Sequence, residues 1–146
     1  MNTMNRRRRT RILVLSGALR RDWAAAIRQT RRVEILEPPR AGLVMAQVRE
    51  SARKMVFALG EVLVTEAKAR VDGRVGLGLV RGWDEAAAED LAVIDAACRA
   101  ATAAEERWSD RLVEAEAALE AELAAERRRL EATRVDFQTM DQGGGQ

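Results

Sequence analysis

Few side chains in this sequence could carry out chemistry. The 146 residues include no histidine, no tyrosine and a single cysteine, Cys98. These absences remove the commonest general base, the commonest metal ligand and any internal disulfide. Cys98 falls on the apolar stripe of a predicted helix without a histidine to activate its thiol, so a small buried hydrophobe is the favoured interpretation. We therefore expect no catalytic residue and no activity from this chain alone.

Carboxylates are the remaining candidates for acid–base chemistry. Glu61 and Glu66 are five residues apart on a predicted strand and point to opposite faces, whereas catalytic carboxylates must converge on one bond. A small hydrolase that uses Glu61 or Glu66 is one alternative function. Glu61 follows Gly60 and is favoured as a turn or interface residue. Asp95 is favoured as a structural ion-pair partner of an arginine such as Arg81.

An arginine run occupies residues 6–9 and could bind phosphate, because guanidinium groups neutralise phosphates and bind them in bidentate fashion. The formal net charge of the whole chain is only +2, and no aromatic residue interleaves with the arginines. Residues 1–9 are therefore predicted to form a basic disordered tail. A stand-alone protein that binds nucleic acid through this run is the alternative function.

Hydrophobic periodicity predicts the elements that position these residues. Residues 10–31 have helical spacing, and short strands are expected at residues 33–36, 42–50 and 54–59. With the hairpin that follows, they predict an α+β fold with a mostly antiparallel sheet of about four or five strands, on which N-terminal helices and two C-terminal helices pack. Residues 10–142 are predicted to be one domain, followed by a flexible glycine-rich tail at 143–146.

The hairpin is predicted from two alternating segments around Asp-Gly. Mainly apolar residues occupy the odd positions before the turn, and the odd positions after it are apolar as well. A three-residue loop at 71–73, with Arg70 paired to Arg74, would keep both sets on one buried face. Gly73 is then expected in the left-handed region. Asp84 is expected to cap a following helix whose apolar stripe covers the hairpin.

A long helix at residues 104–134 contains no glycine or proline. Its narrow apolar stripe is formed by Trp108, Leu112, Ala115, Leu119 and Leu123, and such a stripe needs a surface to pack against. The segment after it carries two large apolar side chains and two charges, which are typical anchors for a partner, although a lid over the chain's own sheet is equally compatible. The candidate partner-interface residues are Arg134, Val135, Asp136, Phe137, Met140 and, from the hairpin, Glu61.

An ordered set of short motifs resembles the PhnG family of the bacterial carbon–phosphorus lyase system. The set comprises Phe57, residues 60–67, Asp72-Gly73, Gly82, Asp84 and Ile94-Asp95-Ala96, flanked by residues 39–45 and 134–140. The resemblance covers most of residues 38–142, and the order of the motifs carries it. The sequence departs from the family pattern at Arg40, Leu77 and Gln138.

This resemblance implies a non-autonomous subunit of the carbon–phosphorus lyase core complex in organic phosphonate catabolism. The expected partners are the H, I and J subunits and the ATPase-like L subunit, with no membrane or nucleic acid. The G, H, I and L subunits together would displace adenine from ATP with a phosphonate to give α-D-ribose 1-methylphosphonate 5-triphosphate. ATP is thus a substrate of the complex, and no cofactor or metal is expected on this chain.

The apolar run at residues 12–15 is too short for a signal or a bilayer span, which favours the cytoplasm.

Overall fold

The computed structural model describes residues 4–50, 54–100 and 106–134. The helices in these ranges are α1 (Arg6–Leu15), α2 (Gly17–Thr30), α3 (Glu85–Ala100) and α4 (Ser109–Ala132), and the strands are β1 (Val33–Arg49), β2 (Val56–Val71) and β3 (Arg74–Arg81). The three strands form one antiparallel sheet in the order β1-β2-β3. This arrangement confirms the α+β class and the antiparallel meander. Within the described ranges, no helix has the length and apolar character needed to cross a membrane.

The strands are longer and fewer than the four or five that were expected. Residues 33–36 and 42–50 were predicted as separate strands, but β1 runs through Pro38 and Pro39 with only a shift in register. Proline is tolerated there because β1 lies at the edge of the sheet. Residues 54–59 were likewise expected as a strand of their own, but from Val56 onwards they belong to β2. This strand continues through a bulge at Gly60, where φ is +141°.

The β2–β3 hairpin has a two-residue loop, so the expected three-residue loop was wrong. Arg70 pairs with Val75 and not with Arg74. Asp72 and Gly73 occupy the loop with φ values of +47° and +81°. Two consecutive residues with positive φ are what a type I′ turn requires, and this turn matches the twist of the strands that it joins. The left-handed conformation expected of Gly73 is confirmed.

This register places the glycines of β3 against α3. A Cβ atom on Gly76 would lie 2.2 Å from the backbone nitrogen of Ala96, so the helix packs directly on the strand backbone. Gly78 has the same role one turn away along the helix. The apolar residues that were expected on this buried face point to the opposite one, where Val75, Leu77 and Leu79 are 43%, 40% and 44% exposed.

The turn from β3 into α3 is fixed by side chains that the sequence had singled out. Asp84 accepts a hydrogen bond from the backbone N–H of Ala87 (2.9 Å), which confirms the predicted cap. The buried Thr65 hydroxyl donates to the carbonyl of Gly82 (2.7 Å) and accepts from the N–H of Asp84 (3.2 Å). Thr65 therefore ties β2 to the start of α3.

The α3 helix covers β2 and β3, and α1 and α2 form a second helical layer on α3. The expectation that the N-terminal helices and both C-terminal helices pack on the sheet holds for α3, whereas α1 and α2 pack on α3, and α4 contacts α1 and α2. The Trp108 ring stacks on Trp23 of α2, with centroids 5.3 Å apart and planes inclined by 14°. Leu112 is fully buried, whereas Leu123 is 39% exposed. The predicted apolar stripe of the long helix is thus packed from Trp108 as far as Leu119.

Candidate interaction surface

The strands β1 and β2 continue beyond β3 as a two-stranded arm. β3 ends at Arg81, which pairs with Val64, whereas β1 and β2 remain paired as far as Arg49 and Val56. We define the arm as residues 42–49 and 56–63. Beyond the end of β3, no strand in the described part of the chain lies along the β2 edge of the arm, and an isolated two-stranded ribbon is marginally stable in water. The arm is therefore a segment that gains from contact with another surface.

Both faces of the arm expose large apolar side chains. Leu43, Val44 and Met45 are consecutive and all exposed, as are Val56 and Phe57. Consecutive side chains of a strand point to opposite faces, so neither face of the arm is covered by the residues that the structure describes. The exposed apolar residues of the arm are Leu43, Val44, Met45, Val48, Val56, Phe57, Leu59 and Leu63, with Leu59 the most exposed at 63%. Contiguous apolar surface of this kind marks an interaction site.

Glu61 is the single carboxylate in the arm. It pairs across the ribbon with Met45 and follows the bulge at Gly60. Its side chain is exposed, and it forms no ion pair with any residue in the described ranges. The only other ionisable residue of the arm is Arg49 at its far end. The structure therefore places the predicted interface residue Glu61 in the middle of an apolar surface.

The charges at the base of the arm, in contrast, are neutralised across the strands. Arg40 Nε donates to Glu66 (2.8 Å), and this hydrogen bond raises the pKa of Arg40. The hydrogen bond from Lys68 (2.6 Å) lowers the pKa of Glu37. Glu66 is thus held by an arginine, which gives no support to a carboxylate-dependent hydrolase. Among the residues that the structure describes, no three side chains of the metal-binding types converge as metal ligands.

The Asp95 carboxylate joins α1, α3 and β3. Its side chain is only 8% exposed. The donors to it are Arg6 Nε and Nη2 (2.9 Å each), Arg99 Nε (3.0 Å), Arg9 Nη2 (3.4 Å) and the backbone N–H of Leu77 (3.2 Å). The predicted structural ion pair is confirmed, but its expected partner Arg81 was wrong. Asp95 binds the N-terminal helix, and a carboxylate engaged in this way has a structural role.

The arginine run belongs to α1, so the expected disordered tail is wrong for Arg6–Arg9. Arg6 and Arg9 contact Asp95, and Arg8 Nε donates to both oxygens of Glu116 in α4 (2.7 and 2.9 Å). This pairing raises the pKa of Arg8 and lowers the pKa of Glu116. Because three guanidiniums of the run contact carboxylates of the same chain, the alternative of a nucleic-acid-binding tail gains no support.

Sequence reasoning missed a second buried carboxylate of α3. Asp90 accepts a hydrogen bond from Arg28 Nη1 (2.7 Å), and its other oxygen lies 3.7 Å from Arg20 Nε. Asp90 and Arg20 are both buried. A usable signal was present, because residues 1–32 contain ten arginines and one acidic residue, Asp22. Helices of such composition need carboxylates from another part of the chain when they pack.

The predicted C-terminal interface lies almost entirely outside the described residues. Arg134 is exposed after the end of α4, and its backbone N–H donates to the carbonyl of Glu131 (3.2 Å). Val135, Asp136, Phe137 and Met140 are not among the residues that the structure describes. Their role in binding a partner therefore stays a prediction.

Residues of the arm, the hairpin turn and the Asp95 cluster belong to the motif set that resembles one known family. The family model of the phosphonate metabolism protein PhnG matches residues 4–143. The chain belongs to the PhnG family. A curated PhnG relative is the alpha-D-ribose 1-methylphosphonate 5-triphosphate synthase subunit PhnG of Rhizobium meliloti (strain 1021). It is 36% identical over 129 residues, which cover 87% of this chain and 81% of the relative.

Several of the motifs that carried the PhnG resemblance have a clear structural reason in this chain. Gly60 forms the bulge of the arm, and Asp72-Gly73 forms the hairpin turn. Thr65 fixes the start of α3, and Asp95 holds α1. These PhnG motif residues therefore shape the fold, whereas Glu61 is exposed and available for contact with another molecule.

Proposed function

We propose that this PhnG-family chain is a non-autonomous subunit of the enzyme complex that synthesises α-D-ribose 1-methylphosphonate 5-triphosphate in phosphonate catabolism. The observation that carries this proposal is the match, over 87% of the chain, to a relative named as a subunit of that synthase. The apolar arm supports a subunit role, because proteins that act alone rarely expose contiguous apolar surface.

The reaction of the complex would exchange adenine for a phosphonate on the ribose of ATP. An oxygen of the phosphonate bonds to C1′ while the bond between C1′ and adenine N9 breaks, and adenine leaves. We assign the reacting groups to partner subunits and give this chain a role in assembly, in line with Asp95, Asp90 and Glu66 being held in structural ion pairs. The proposed partners are the H, I and J subunits and the ATPase-like L subunit, in the cytoplasm.

The first test is co-expression of this chain with the H, I and J subunits from the same genome. Affinity purification and light scattering should give a complex of defined stoichiometry. With the L subunit, ATP and methylphosphonate, the complex should release adenine, and a preparation that lacks this chain should not. A monomer that co-purifies with none of the three subunits, or full adenine release without this chain, would contradict the proposal.

The segment after α4 is proposed as one contact to a neighbouring subunit. It contains Arg134, Val135, Asp136, Phe137 and Met140. Truncating a buried aromatic or arginine anchor typically costs about 2 kcal/mol or more of binding free energy. Phe137→Ala and Arg134→Ala should therefore each lower the recovery of the complex, with Gln142→Ala as a control. Unchanged assembly after both substitutions would remove this segment from the interface.

A further inference from the structure

We propose that the arm inserts into an apolar cleft of one partner subunit, which covers both faces of the arm and places a lysine or arginine against Glu61. The inference rests on the proposed function, because it names the surface through which the subunit binds. Its basis is the combination of two exposed apolar faces with a single carboxylate in the arm, Glu61, which has no ion-pair partner among the described residues.

The need for enclosure follows from adjacent residues of β1. Val44 and Met45 are 43% and 55% exposed, and as neighbours in a strand they point to opposite sides of the ribbon. A flat surface could cover only one of them. Strands of eight residues extend about 26 Å, at about 3.3 Å per residue, so a cleft that takes up the whole arm is a substantial interface. Both faces are covered only if the partner surrounds the arm.

The chemistry of the cleft follows from Glu61. Removing an ionised carboxylate from water without a partner is strongly unfavourable. The carboxylates at the base of the arm need nothing from outside, because Glu66 and Glu37 already pair with Arg40 and Lys68. Glu61 has no such counter-charge among the described residues. The partner must therefore supply one cation at this point of an otherwise apolar cleft.

A second copy of the chain and a lipid bilayer meet these requirements less well. Two arms stacked face to face would each keep the other face in water, and each copy would bring a further carboxylate at Glu61. A bilayer would surround the apolar side chains, but the carboxylate in the middle of the arm would then enter hydrocarbon. A partner protein can cover both faces and provide the cation.

Site-specific cross-linking tests the enclosure. A photo-reactive phenylalanine analogue is placed at Val44 in one variant and at Met45 in another, and at the exposed Val113 of α4 as the control for background yield. In the purified complex, both arm positions should cross-link to the same partner subunit, above the control. The inference is overturned if only one of them does so, if neither exceeds the control, or if the product is a dimer of this chain.

Charge reversal tests the role of Glu61. Glu61→Arg should lower the recovery of the complex at least tenfold, whereas Glu122→Arg, at an exposed position of α4, should leave it unchanged. The thermal unfolding of the isolated variants should match that of the unmodified chain, because both positions are exposed. Full recovery of the complex with Glu61→Arg would overturn the inference while leaving the proposed function intact. Failure of the unmodified chain to assemble would instead reject the proposed function, and the inference with it.

Discussion

A Cβ atom on Gly78 would lie 1.7 Å from the backbone oxygen of Ala88. No side chain fits in this space, and the atoms in the way belong to backbone, which cannot rotate aside. The α3 helix can therefore approach β3 only because this residue is glycine. The small residues of α3 complete the contact, since Ala88 and Ala92 are themselves fully buried.

Gly78→Ala is expected to destabilise the fold strongly. The added methyl group forces α3 away from the sheet, and overpacking of this kind costs about 3 kcal/mol or more. Gly42→Ala is the matched control, because its added Cβ would meet nothing within 4 Å. Urea denaturation followed by circular dichroism measures both free energies of unfolding. Equal stability of the two variants would contradict the close contact.

Asp95→Asn is expected to loosen α1. The substitution keeps the shape of the side chain but removes the charge that Arg6, Arg9 and Arg99 contact. Because Arg6 and Arg99 are half exposed, the expected cost is about 1–3 kcal/mol. Amide hydrogen exchange should then be faster in α1 than in the unmodified chain. The control is Asp110→Asn, at an exposed position of α4. Unchanged protection of α1 would show that the carboxylate does not hold this helix.

Trp108→Ala is expected to release the start of α4 from α2. The indole stacks on Trp23 and also lies 4.7 Å below the guanidinium of Arg111. Losing a partly buried tryptophan and its aromatic pair should cost about 2–3 kcal/mol. Trp83→Ala provides the comparison, because Trp83 is 69% exposed and should tolerate the change. Thermal unfolding of the two variants gives the measurement, and a similar loss in both would contradict this packing.

The pair of Arg8 and Glu116 predicts a pH dependence of stability. The hydrogen bond from Arg8 lowers the pKa of Glu116 below its usual 4.5 in the folded chain. A carboxyl group whose pKa is lower when folded stabilises the fold above its unfolded pKa, and this contribution is lost as the pH falls through the folded pKa. The destabilisation caused by Glu116→Gln should thus be present at pH 7 and shrink towards pH 3.

The control for this pH effect is Glu122→Gln, because Glu122 is exposed on the same helix and forms no ion pair with any described residue. The measurement is the melting temperature of the unmodified chain, of Glu116→Gln and of Glu122→Gln, each at pH 7 and at pH 3. A difference between the unmodified chain and Glu116→Gln that is independent of pH would show that Arg8 does not favour the ionised carboxylate.

The elements of the fold were largely predictable from the sequence, but the burial of β3 was not. Val75, Leu77 and Leu79 alternate as a buried strand face would, and the three-residue loop was inferred to bury them. The structure instead buries the two glycines between them, because α3 packs on backbone. Two local signals favoured this outcome: Asp-Gly is typical of a two-residue type I′ turn, and glycine inside a strand often marks a close backbone approach.

The interaction surface was predictable only in part. Glu61 was singled out beside Gly60, but the arm was not, because residues 42–50 and 54–59 were treated as short strands of a covered sheet. Whether a strand is covered depends on where the neighbouring strand ends, and β3 stops at Arg81. Strand ends are set by tertiary packing, which local periodicity does not contain.

The Asp95 contacts also limit when α1 can dock while the chain is being synthesised. Arg6 is separated from Asp95 by 89 positions, so the first helix is synthesised long before its counter-charge exists. At about 5–20 residues per second, the interval is roughly 4–18 s. During that time the cationic N-terminus emerges without the carboxylate that will hold it, and it can join the fold only after the sheet and α3 have followed. The docking of α1 on Asp95 therefore cannot precede the synthesis of α3.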